Sequence, residues 1–473
     1  MHSLDLIYID GAFLRPHGTE RMPLIDPSTE ELLGHVTLAD ELDAQRAVAA
    51  ARRALPRIAS SNKAERIDWL RRLHAAVLAR GDALRDATLL EYGAPISRAE
   101  WVSRHAAQSF LDAATTLEAY SFERRVGDSD VVMEPVGVSL LITPWNSNAG
   151  SICSKVAMAI AAGCPVVVKP SEMSALQTSI VMEAFHNANL PAGAINVVNG
   201  RGDVIGSVLT THPDVNRISF TGSGAAGKAI AGLAAATLKR VTLGLGGKSP
   251  SLVLPDADFA HAIPAAVQAA FMNNGQACIA GSRLLVPRAR LDEARGLLTA
   301  AVDAVRVGSP FDQATALGPL ASRAQFDRVQ GYIQRGLDEG ATLLAGGPGR
   351  PAGLERGYYV QPTVFENVSP TMTIARDEIF GPVLALFAYD DEDEAIDLAN
   401  DSDLGLHAFV FSSDLAHAHS VARRVQAGRV AINGLRHDPL APFGGFKQSG
   451  LGREFGVFGL ESFLEAKAIM GQA

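Results

Sequence analysis

The sequence predicts an α/β protein built on doubly wound parallel sheets. Three short segments rich in β-branched residues, 166–168, 194–198 and 217–220, are separated by stretches with helical periodicity. Short buried strands that alternate with helices are typical of a parallel sheet covered on both faces. Because 473 residues exceed the size at which one core usually keeps growing, we expect two large domains.

The elements around these strands follow from periodicity and from helix- and strand-breaking residues. Residues 42–80 repeat apolar and alanine residues every three or four positions among charged ones, which predicts amphipathic surface helices. Residues 131–142 predict an extended segment, and Pro144 begins a loop. A second series of strands and helices is predicted over residues 249–432, with a surface loop at the Gly- and Pro-rich residues 346–351.

The composition argues against several classes of protein. The formal net charge is −9 with no concentrated Lys/Arg stripe, so nucleic acid is not an expected partner. Cys153, Cys164 and Cys278 are too few for a disulfide framework and lack metal-ligand spacing, so no metal site is expected. Neither a basic leader nor a run of about 18 apolar residues is present, which predicts a cytoplasmic protein without a membrane span.

A glycine-rich turn follows the predicted strand at residues 217–220. Residues 221–227 combine glycines with the start of a helix, where backbone amides can approach a dinucleotide pyrophosphate. The acidic residue that usually binds the ribose is absent from residues 228–255, so a plain helix-entry turn remains an alternative. Lys169 and Glu172, at the end of another strand, could instead hold the two hydroxyls of the adenine ribose.

Cys278 is the candidate nucleophile. It follows a turn at residues 273–276 that contains a glycine, and a thiolate there could attack a carbonyl if hydrogen-bond donors stabilised the oxyanion. A free cysteine is more often a small buried hydrophobic residue, and on these grounds alone that interpretation stays open for Cys278. We apply it to Cys153 and Cys164, which lie in apolar surroundings.

Several motifs in a fixed order connect the chain to a known family. Over essentially its full length the chain resembles the aldehyde dehydrogenase superfamily. The resemblance implies two doubly wound parallel-sheet domains and a small β-hairpin oligomerisation element. The matching motifs are Thr143-Pro144-Trp145-Asn146, Val168-Lys169-Pro170-Ser171-Glu172, Phe220-Thr221-Gly222-Ser223, Leu245-Gly246-Gly247-Lys248-Ser249-Pro250, Gly275-Gln276-Ala277-Cys278, Glu378-Ile379-Phe380-Gly381-Pro382-Val383 and Pro442-Phe443-Gly444-Gly445-Phe446-Lys447.

The resemblance also implies roles for individual residues. Cys278 would attack an aldehyde, and the side-chain amide of Asn146 would join the Cys278 backbone N–H in an oxyanion hole. The hydride would pass to NAD rather than NADP, because the Glu172 carboxylate would repel a 2′-phosphate. The residues expected to bind this cofactor are Thr143, Pro144, Trp145, Lys169, Glu172, Gly202, Gly222, Ser223, Gly227, Glu378 and Phe380, with Ser223 at the pyrophosphate and Glu378 at the nicotinamide ribose.

Gly244 departs from the family's pattern. It stands where the family usually carries a glutamate that activates water for thioester hydrolysis, and such assistance is typically worth about 10² to 10⁴ in rate. Three explanations stay open. Glu465 could act through a water chain, the acyl group could pass to a thiol such as coenzyme A, or the protein could hold the acyl group without turnover.

A second departure concerns the substrate side of the site. Ser147 follows the oxyanion asparagine where the family usually has phenylalanine, and Ser151 and Ser154 follow at helical spacing. These serines predict a wide, partly polar tunnel, with close helix packing as the alternative. Arg436 and His437 are expected on the opposite side, where Arg436 either binds a substrate carboxylate or phenolate or is simply solvated.

The resemblance implies a division of the chain into three parts. Residues 1–116 and 137–245 would form the NAD-binding domain and residues 246–446 the catalytic domain. Residues 117–136 with 447–473 would form the oligomerisation element, in which a hairpin pairs with the C-terminal tail. A homodimer or homotetramer is therefore expected.

Overall fold

The computed structural model describes residues 1–471, and its helices cover both faces of two large sheets. Capping boxes at Asp40 and Asn62 begin the first two helices, which confirm the helices predicted over residues 42–80. The α-helices are α1 (Glu41–Ala59), α2 (Lys63–Leu78), α3 (Gly81–Tyr92), α4 (Ile96–Ala119), α5 (Asn148–Ala162), α6 (Ala175–Asn187), α7 (Ser207–Thr211), α8 (Gly224–Ala235), α9 (Phe259–Phe271), α10 (Leu291–Asp303), α11 (Arg323–Asp338), α12 (Thr373–Arg376), α13 (Glu392–Asn400), α14 (Leu415–Arg424) and α15 (Gly456–Glu461).

The strands are short. They are β1 (His2–Leu4), β2 (Ile7–Ile9), β3 (Ala12–Leu14), β4 (Arg21–Ile25), β5 (Leu32–Thr37), β6 (Glu123–Val126), β7 (Ser129–Pro135), β8 (Ser139–Ile142), β9 (Val166–Lys169), β10 (Ile195–Val197), β11 (Arg217–Thr221), β12 (Arg240–Gly244), β13 (Pro250–Val253), β14 (Arg283–Pro287), β15 (Thr342–Ala345), β16 (Thr363–Glu366), β17 (Val383–Tyr389), β18 (Leu404–Gly405), β19 (His407–Phe411), β20 (Arg429–Ile432), β21 (Phe446–Lys447), β22 (Gly450–Leu451) and β23 (Leu464–Met470).

The first large sheet has the order β22-β12-β11-β8-β9-β10-β2-β3. Its five middle strands, β12 to β10 in that order, are parallel, while β22, β2 and β3 pair antiparallel at the two edges. Every residue of β8 and β9 is buried, as expected of a parallel sheet with helices on both faces. The predicted doubly wound sheet is therefore confirmed.

The extended segment predicted over residues 131–142 is two strands in two different sheets. β7 belongs to a three-stranded sheet, whereas β8 lies inside the first large sheet. The chain turns between them at Gly137, whose φ is +120° and whose missing Cβ would lie 2.3 Å from Asn216 Oδ1. Only glycine fits this turn, which separates the two strands.

The second large sheet has the order β15-β16-β17-β14-β13-β19-β20 and is parallel except for β15. Apolar clusters cover its two faces, one around Phe365 and Val410 and the other around Phe259 and Phe409. The remaining sheets are β1-β5-β4, β18-β21 and β23-β7-β6. β22, which follows residue 446, pairs with β12 in the first large sheet. The domain boundaries expected from the sequence, including the one at residue 446, stay predictions.

Two features are absent from the described residues 1–471, namely a membrane-crossing helix and a cluster of metal ligands. No helix among residues 1–471 combines the length and the apolar character that crossing a membrane needs. Within the same residues, no group of three or more His, Cys, Asp and Glu side chains is arranged to hold a metal ion.

The predicted site residues follow the ends of adjacent strands. Residues 143–147 follow β8, Lys169 ends β9, Thr221 ends β11 and Gly244 ends β12. The carboxyl ends of parallel strands meet at one edge of a sheet, which is where open α/β sheets bind ligands.

Candidate active site

Cys278 lies where two cavities meet. The larger cavity has a volume of about 350 Å³ and the smaller one about 260 Å³. Four residues line both of them, and these are Pro144, Asn146, Thr221 and Cys278. A molecule held in each cavity would therefore reach the same thiol from two sides.

The loop before Cys278 has an unusual backbone. Asn273, Asn274 and Gly275 have φ values of 55°, 60° and 69°, a left-handed run that asparagine and glycine tolerate better than other residues. The Asn274 amide fixes the loop by donating to Gly93 O and Pro319 O, both at 2.9 Å. This conformation explains why the sequence before the thiol is Asn-Asn-Gly.

Asn146 is held beside the thiol by hydrogen bonds to the same loop. Its Nδ2 donates to Gln276 O at 2.8 Å, and Asn273 Nδ2 donates to Asn146 O at 3.0 Å. One of the two Nδ2 hydrogens is used in this way, and the other remains for a ligand. Asn146 and Cys278 are thus brought together as expected, although the oxyanion role stays a prediction.

The surroundings of Cys278 favour the protonated thiol over the thiolate. Burial, with the negative charge of Glu378 as a second cause, raises the pKa of Cys278 to about 12. The other cysteines, Cys153 and Cys164, are buried away from the two cavities. Since attack needs the thiolate, a cation close to Cys278 would activate it.

The smaller cavity collects most of the predicted cofactor residues. The rings of Trp145 and Phe380 meet edge to face with centroids 5.4 Å apart. Glu378 Oε1 accepts a hydrogen bond from Gly247 N at 3.2 Å, and burial raises the pKa of Glu378 to about 7. The lining also includes Pro144, Gly222 and Ser223, so these predicted residues share one cavity.

Ser223 begins the helix behind this cavity. Its side chain caps α8 by accepting a hydrogen bond from Ala226 N at 3.3 Å. A missing Cβ of Gly227 would lie 2.5 Å from Leu245 Cδ2, so glycine lets α8 pack against Leu245. The turn therefore presents a helix N-terminus to the cavity, which favours an anionic ligand.

A second group of predicted cofactor residues lies outside the linings of both cavities. Lys169 Nζ lies 3.1 Å from Glu172 Oε2. Gly202 begins the short helical turn Gly202–Gly206, which follows β10. Thr143 is buried, and its hydroxyl faces Asn148 Oδ1 at 3.3 Å. The cofactor roles of these residues stay predictions.

Gly244 lines the smaller cavity and offers no side chain to it. Two carboxylates lie near the thiol, since Glu378 lines the smaller cavity and Glu454 lines the larger one, each together with Cys278. Glu454 pairs with Lys155, whose side chain is only 2% exposed. Sequence reasoning missed this pair, although a lysine inside the apolar helix α5 signals a buried acidic partner.

The expectation that Glu465 acts near the thiol is wrong. Glu465 lies in β23, its side chain is 42% exposed, and its carboxylate pairs with Arg240 at 2.6 Å. It lines neither cavity. The physical reason is that this carboxylate stays solvated and paired at the protein surface.

The larger cavity has the small-residue wall that the sequence predicts. Ser147, Ser151 and Ser154 all line it, and Arg436 and His437 lie on it as expected. Sequence reasoning missed the part contributed by α4, where Arg98, Trp101 and His105 recur at helical spacing. The periodicity is the signal for these three residues, because it places three large side chains, two of them able to carry charge, on one face of α4.

The chain matches a known protein family along nearly its whole length. The family described as aldehyde dehydrogenase matches residues 13–469. The chain belongs to the aldehyde dehydrogenase family. It is 45% identical over 466 residues to the 3-succinoylsemialdehyde-pyridine dehydrogenase of a Pseudomonas species, with 98% of each chain covered.

Solved structures of aldehyde dehydrogenases share the fold. Aldehyde dehydrogenase C of Pseudomonas syringae, a cysteine-to-alanine mutant complexed with NAD⁺ and octanal, has a TM-score of 0.97 at 47% identity and covers 98% and 96% of the two chains. The NAD⁺ complex of the Mycobacterium tuberculosis aldehyde dehydrogenase has a TM-score of 0.96 at 38% identity and covers 99% and 98%. The predicted family and fold class are therefore confirmed.

Proposed function

We propose that this aldehyde dehydrogenase oxidises an aldehyde to the carboxylic acid, with NAD as the hydride acceptor and Cys278 as the nucleophile. The observation that carries the proposal is the position of Cys278 at the junction of two cavities, beside the Asn146 amide. The aldehyde would enter the larger cavity and the nicotinamide the smaller one. The NAD⁺ complexes among the related structures support this choice of cofactor.

The residues present fit such a cofactor. The Trp145 and Phe380 rings offer an apolar wall, and the N-terminus of α8 at Ser223 faces the same cavity. A carboxylate at Glu378 can accept hydrogen bonds from ribose hydroxyls. At the far end, Lys169 and Glu172 would hold the adenine ribose, and the charge of Glu172 would favour NAD over NADP.

The first step is the attack of the Cys278 sulfur on the aldehyde carbon, after the thiol has passed its proton to water in the larger cavity. The free N–H of the Asn146 amide and the Cys278 backbone N–H would donate to the oxyanion of the resulting thiohemiacetal. When bound, NAD supplies the acceptor for the hydride that leaves the substrate carbon, which converts the thiohemiacetal to a thioester. Asn146 needs no rearrangement, because Gln276 O already holds its amide.

The second step is hydrolysis of the thioester. Position 244, where the family usually has a glutamate that activates water, carries only a glycine in this chain. We propose that Glu454 takes the proton from the attacking water, since its carboxylate lines the cavity that holds Cys278. Lys155 stabilises that carboxylate from behind, and burial lowers the pKa of Lys155. Water adds to the thioester carbon, Glu454 passes the proton it has taken to the departing Cys278 sulfur, and the thiol and the carboxylic acid are formed. Without a carboxylate at position 244, this step is expected to be slow.

A second candidate is transfer of the acyl group to an external thiol such as coenzyme A. The observation in its favour is that Gly244 leaves the wall of the smaller cavity open next to Cys278. Product formation that requires an added thiol would identify this reaction. A protein that forms one equivalent of NADH and then stops, with or without the thiol, would instead be a variant without turnover.

The deciding experiment follows NADH formation in a stopped-flow instrument with aliphatic and aromatic aldehydes. One relative is a 3-succinoylsemialdehyde-pyridine dehydrogenase, and another was solved in complex with octanal. Aromatic and aliphatic aldehydes are therefore both suitable substrates for the test. The proposal expects about one equivalent of NADH per active site followed by slower turnover. A Cys278→Ala variant that still forms NADH at the wild-type rate would refute it.

We also propose that the chain forms a homodimer or homotetramer in the cytoplasm. The three-stranded sheet β23-β7-β6 exposes the apolar side chains of Val126, Ile469 and Met470. Its outer strands also present unpaired backbone groups, which favour pairing with a second copy. Sedimentation of an Ile469→Asp variant as a smaller species than the wild type would support this assembly, and unchanged sedimentation would contradict it.

A further inference from the structure

A charged side chain in the larger cavity has no partner for most of its donors. The side chain of Arg98, on α4, forms one hydrogen bond in the described part of the chain, from Nε to Asn273 Oδ1 at 3.3 Å. Neither terminal nitrogen of Arg98 has a hydrogen-bond or ion-pair partner there. A guanidinium has five N–H donors in a planar fork, so four of them are free for a ligand.

Neighbouring rings hold the Arg98 side chain in place. Its Cζ lies 4.2 Å from the centre of the Trp101 ring, and Trp101 stacks on His105 with centroids 4.7 Å apart. Burial lowers the pKa of Arg98, but an arginine remains charged at neutral pH. The positive charge is therefore fixed in position and partly stripped of water, which strengthens its attraction for an anion.

The rest of the cavity does not neutralise this charge. Glu454 supplies the acidic side chain of the described lining, and it is paired with Lys155. His105 is neutral at pH 7, since burial lowers its pKa to about 4. Arg429 uses its Nε and Nη2 on the backbone carbonyls of Asp438, Ala441 and Pro442. The cavity thus carries an unbalanced positive charge at Arg98.

Arg98 also contacts the loop at residues 273–276, which precedes Cys278. Asn273, its hydrogen-bond partner, donates to Asn146 O, and the Asn146 amide donates to Gln276 O, two residues before Cys278. Arg98 and Cys278 line the same cavity, so one ligand could place an anionic group at Arg98 and its aldehyde carbon at the thiol. Arg436, in contrast, is exposed on the same cavity.

We propose that Arg98 is a specificity residue that binds a carboxylate on the substrate, so that the preferred substrates are aldehydes carrying a carboxylate near the aldehyde group. The inference rests on the proposed function and adds the chemical class of the substrate to it. A carboxylate matches the free fork of the guanidinium in two parallel hydrogen bonds. The small side chains of Ser147, Ser151 and Ser154, at the start of the neighbouring helix α5, leave room in the same cavity for the chain or ring that joins the two groups.

The test compares matched pairs of aldehydes. The values of kcat/KM are measured for 4-carboxybenzaldehyde against 4-methylbenzaldehyde, and for succinic semialdehyde against butanal. Hydrogen bonds to a charged group are worth about 10- to 100-fold in binding, so wild type should favour the carboxylated member by at least tenfold. In Arg98→Gln this preference ratio should fall at least tenfold, and Arg98→Lys should restore part of it.

The ratio separates substrate binding from damage to the loop. Loss of the hydrogen bond to Asn273 would lower both values of a pair and leave the ratio unchanged, which would refute the proposal. So would a fall in the ratio in Arg436→Gln but not in Arg98→Gln. Failure of every aldehyde in wild type would instead contradict the proposed function itself.

A binding measurement provides a readout that does not need turnover. Calorimetric titration of a Cys278→Ser protein with terephthalate, the product of 4-carboxybenzaldehyde, is expected to give binding at least tenfold tighter than 4-methylbenzoate. Adding Arg98→Gln should remove that difference. Equal affinities for the two acids in the Cys278→Ser protein would also refute the proposal.

Discussion

Glu454 and Lys155 form an ion pair in which the carboxylate faces the cavity of the thiol and the ammonium lies buried behind it. Ser219 joins the pair, because its hydroxyl lies 2.9 Å from Lys155 Nζ and 3.4 Å from Glu454 Oε1. A carboxylate that lines the cavity beside a buried cation can accept a proton from the attacking water and return it to the Cys278 sulfur as the thioester breaks.

Replacing Glu454 with glutamine should slow deacylation. We expect steady-state turnover to fall by about 10-fold or more, since general-base assistance is typically worth 10² to 10⁴, while the NADH burst keeps its amplitude. Glu465→Gln is the matched control, because that carboxylate is exposed on β23 and its loss should change turnover less than twofold. Thermal unfolding of both variants distinguishes a lost base from a lost fold. Equal turnover in the two variants would exclude Glu454 as the base.

Adding a carboxylate at position 244 should accelerate the same step. A Cβ on Gly244 would lie 3.2 Å from Thr221 Oγ1 with its next contact at 3.8 Å, so a side chain needs only a small shift. We expect Gly244→Glu to raise steady turnover by about 10² and to leave the burst rate within a few fold. Gly244→Ala, which adds the Cβ without the carboxylate, should behave as wild type. Fast steady turnover in the wild type, without a burst, would contradict this account.

Binding of NAD should weaken as the pH falls below about 7. Burial raises the pKa of Glu378 to about 7 from an ordinary value of 4.5, so the side chain is protonated below that pH in the free protein. A carboxylate accepts ribose hydrogen bonds better than the acid does, so binding must include deprotonation. The dissociation constant should then rise by up to about tenfold per pH unit below 7. In Glu378→Gln this dependence should be lost, as measured by the quenching of tryptophan fluorescence.

The preference for NAD over NADP should depend on Glu172. Replacing it with glutamine removes the negative charge that would face a 2′-phosphate, and it also frees Lys169 from the ion pair. We expect the ratio of kcat/KM for NADP to that for NAD to rise by about 10-fold, a difference typical of one lost charge repulsion. Glu183→Gln on α6, which alters an exposed pair with Arg80, is the control and should leave the ratio unchanged.

The sequence predicts the sheet well because its strands depend on local patterns, and runs such as Val166–Lys169 are short, buried and rich in β-branched residues. The position of Cys278 near Asn146 follows instead from the resemblance to the family, whose motifs are spread from residue 143 to residue 447. The break at Gly137 was not predicted, because the need for glycine there comes from Asn216, which is distant in the sequence. Long-range packing of this kind leaves no periodic signal.

The same limit explains why the sequence does not distinguish Glu454 from Glu465 as the carboxylate that lies near Cys278. Glu454 and Glu465 are both single acidic residues near the C-terminus, and no local pattern tells which of them faces inward. The difference arises from their partners, since Lys155 is buried in α5 whereas Arg240 lies at the exposed start of β12. A buried lysine is visible in the sequence as a charge within an apolar helix, and such a charge indicates a buried acidic partner.

The contact between Gly275 and Gly381 sets a limit on how this protein can change. A Cβ at Gly275 would lie 2.2 Å from the Gly381 carbonyl carbon, so the backbone before the thiol touches the backbone after Glu378 directly. Any side chain at position 275 would push the two loops apart and misalign the nucleophile with the cofactor cavity. Changes in substrate preference are therefore expected in the surrounding helices α4 and α5 and the segment at Arg436, which line the larger cavity and take no part in this contact.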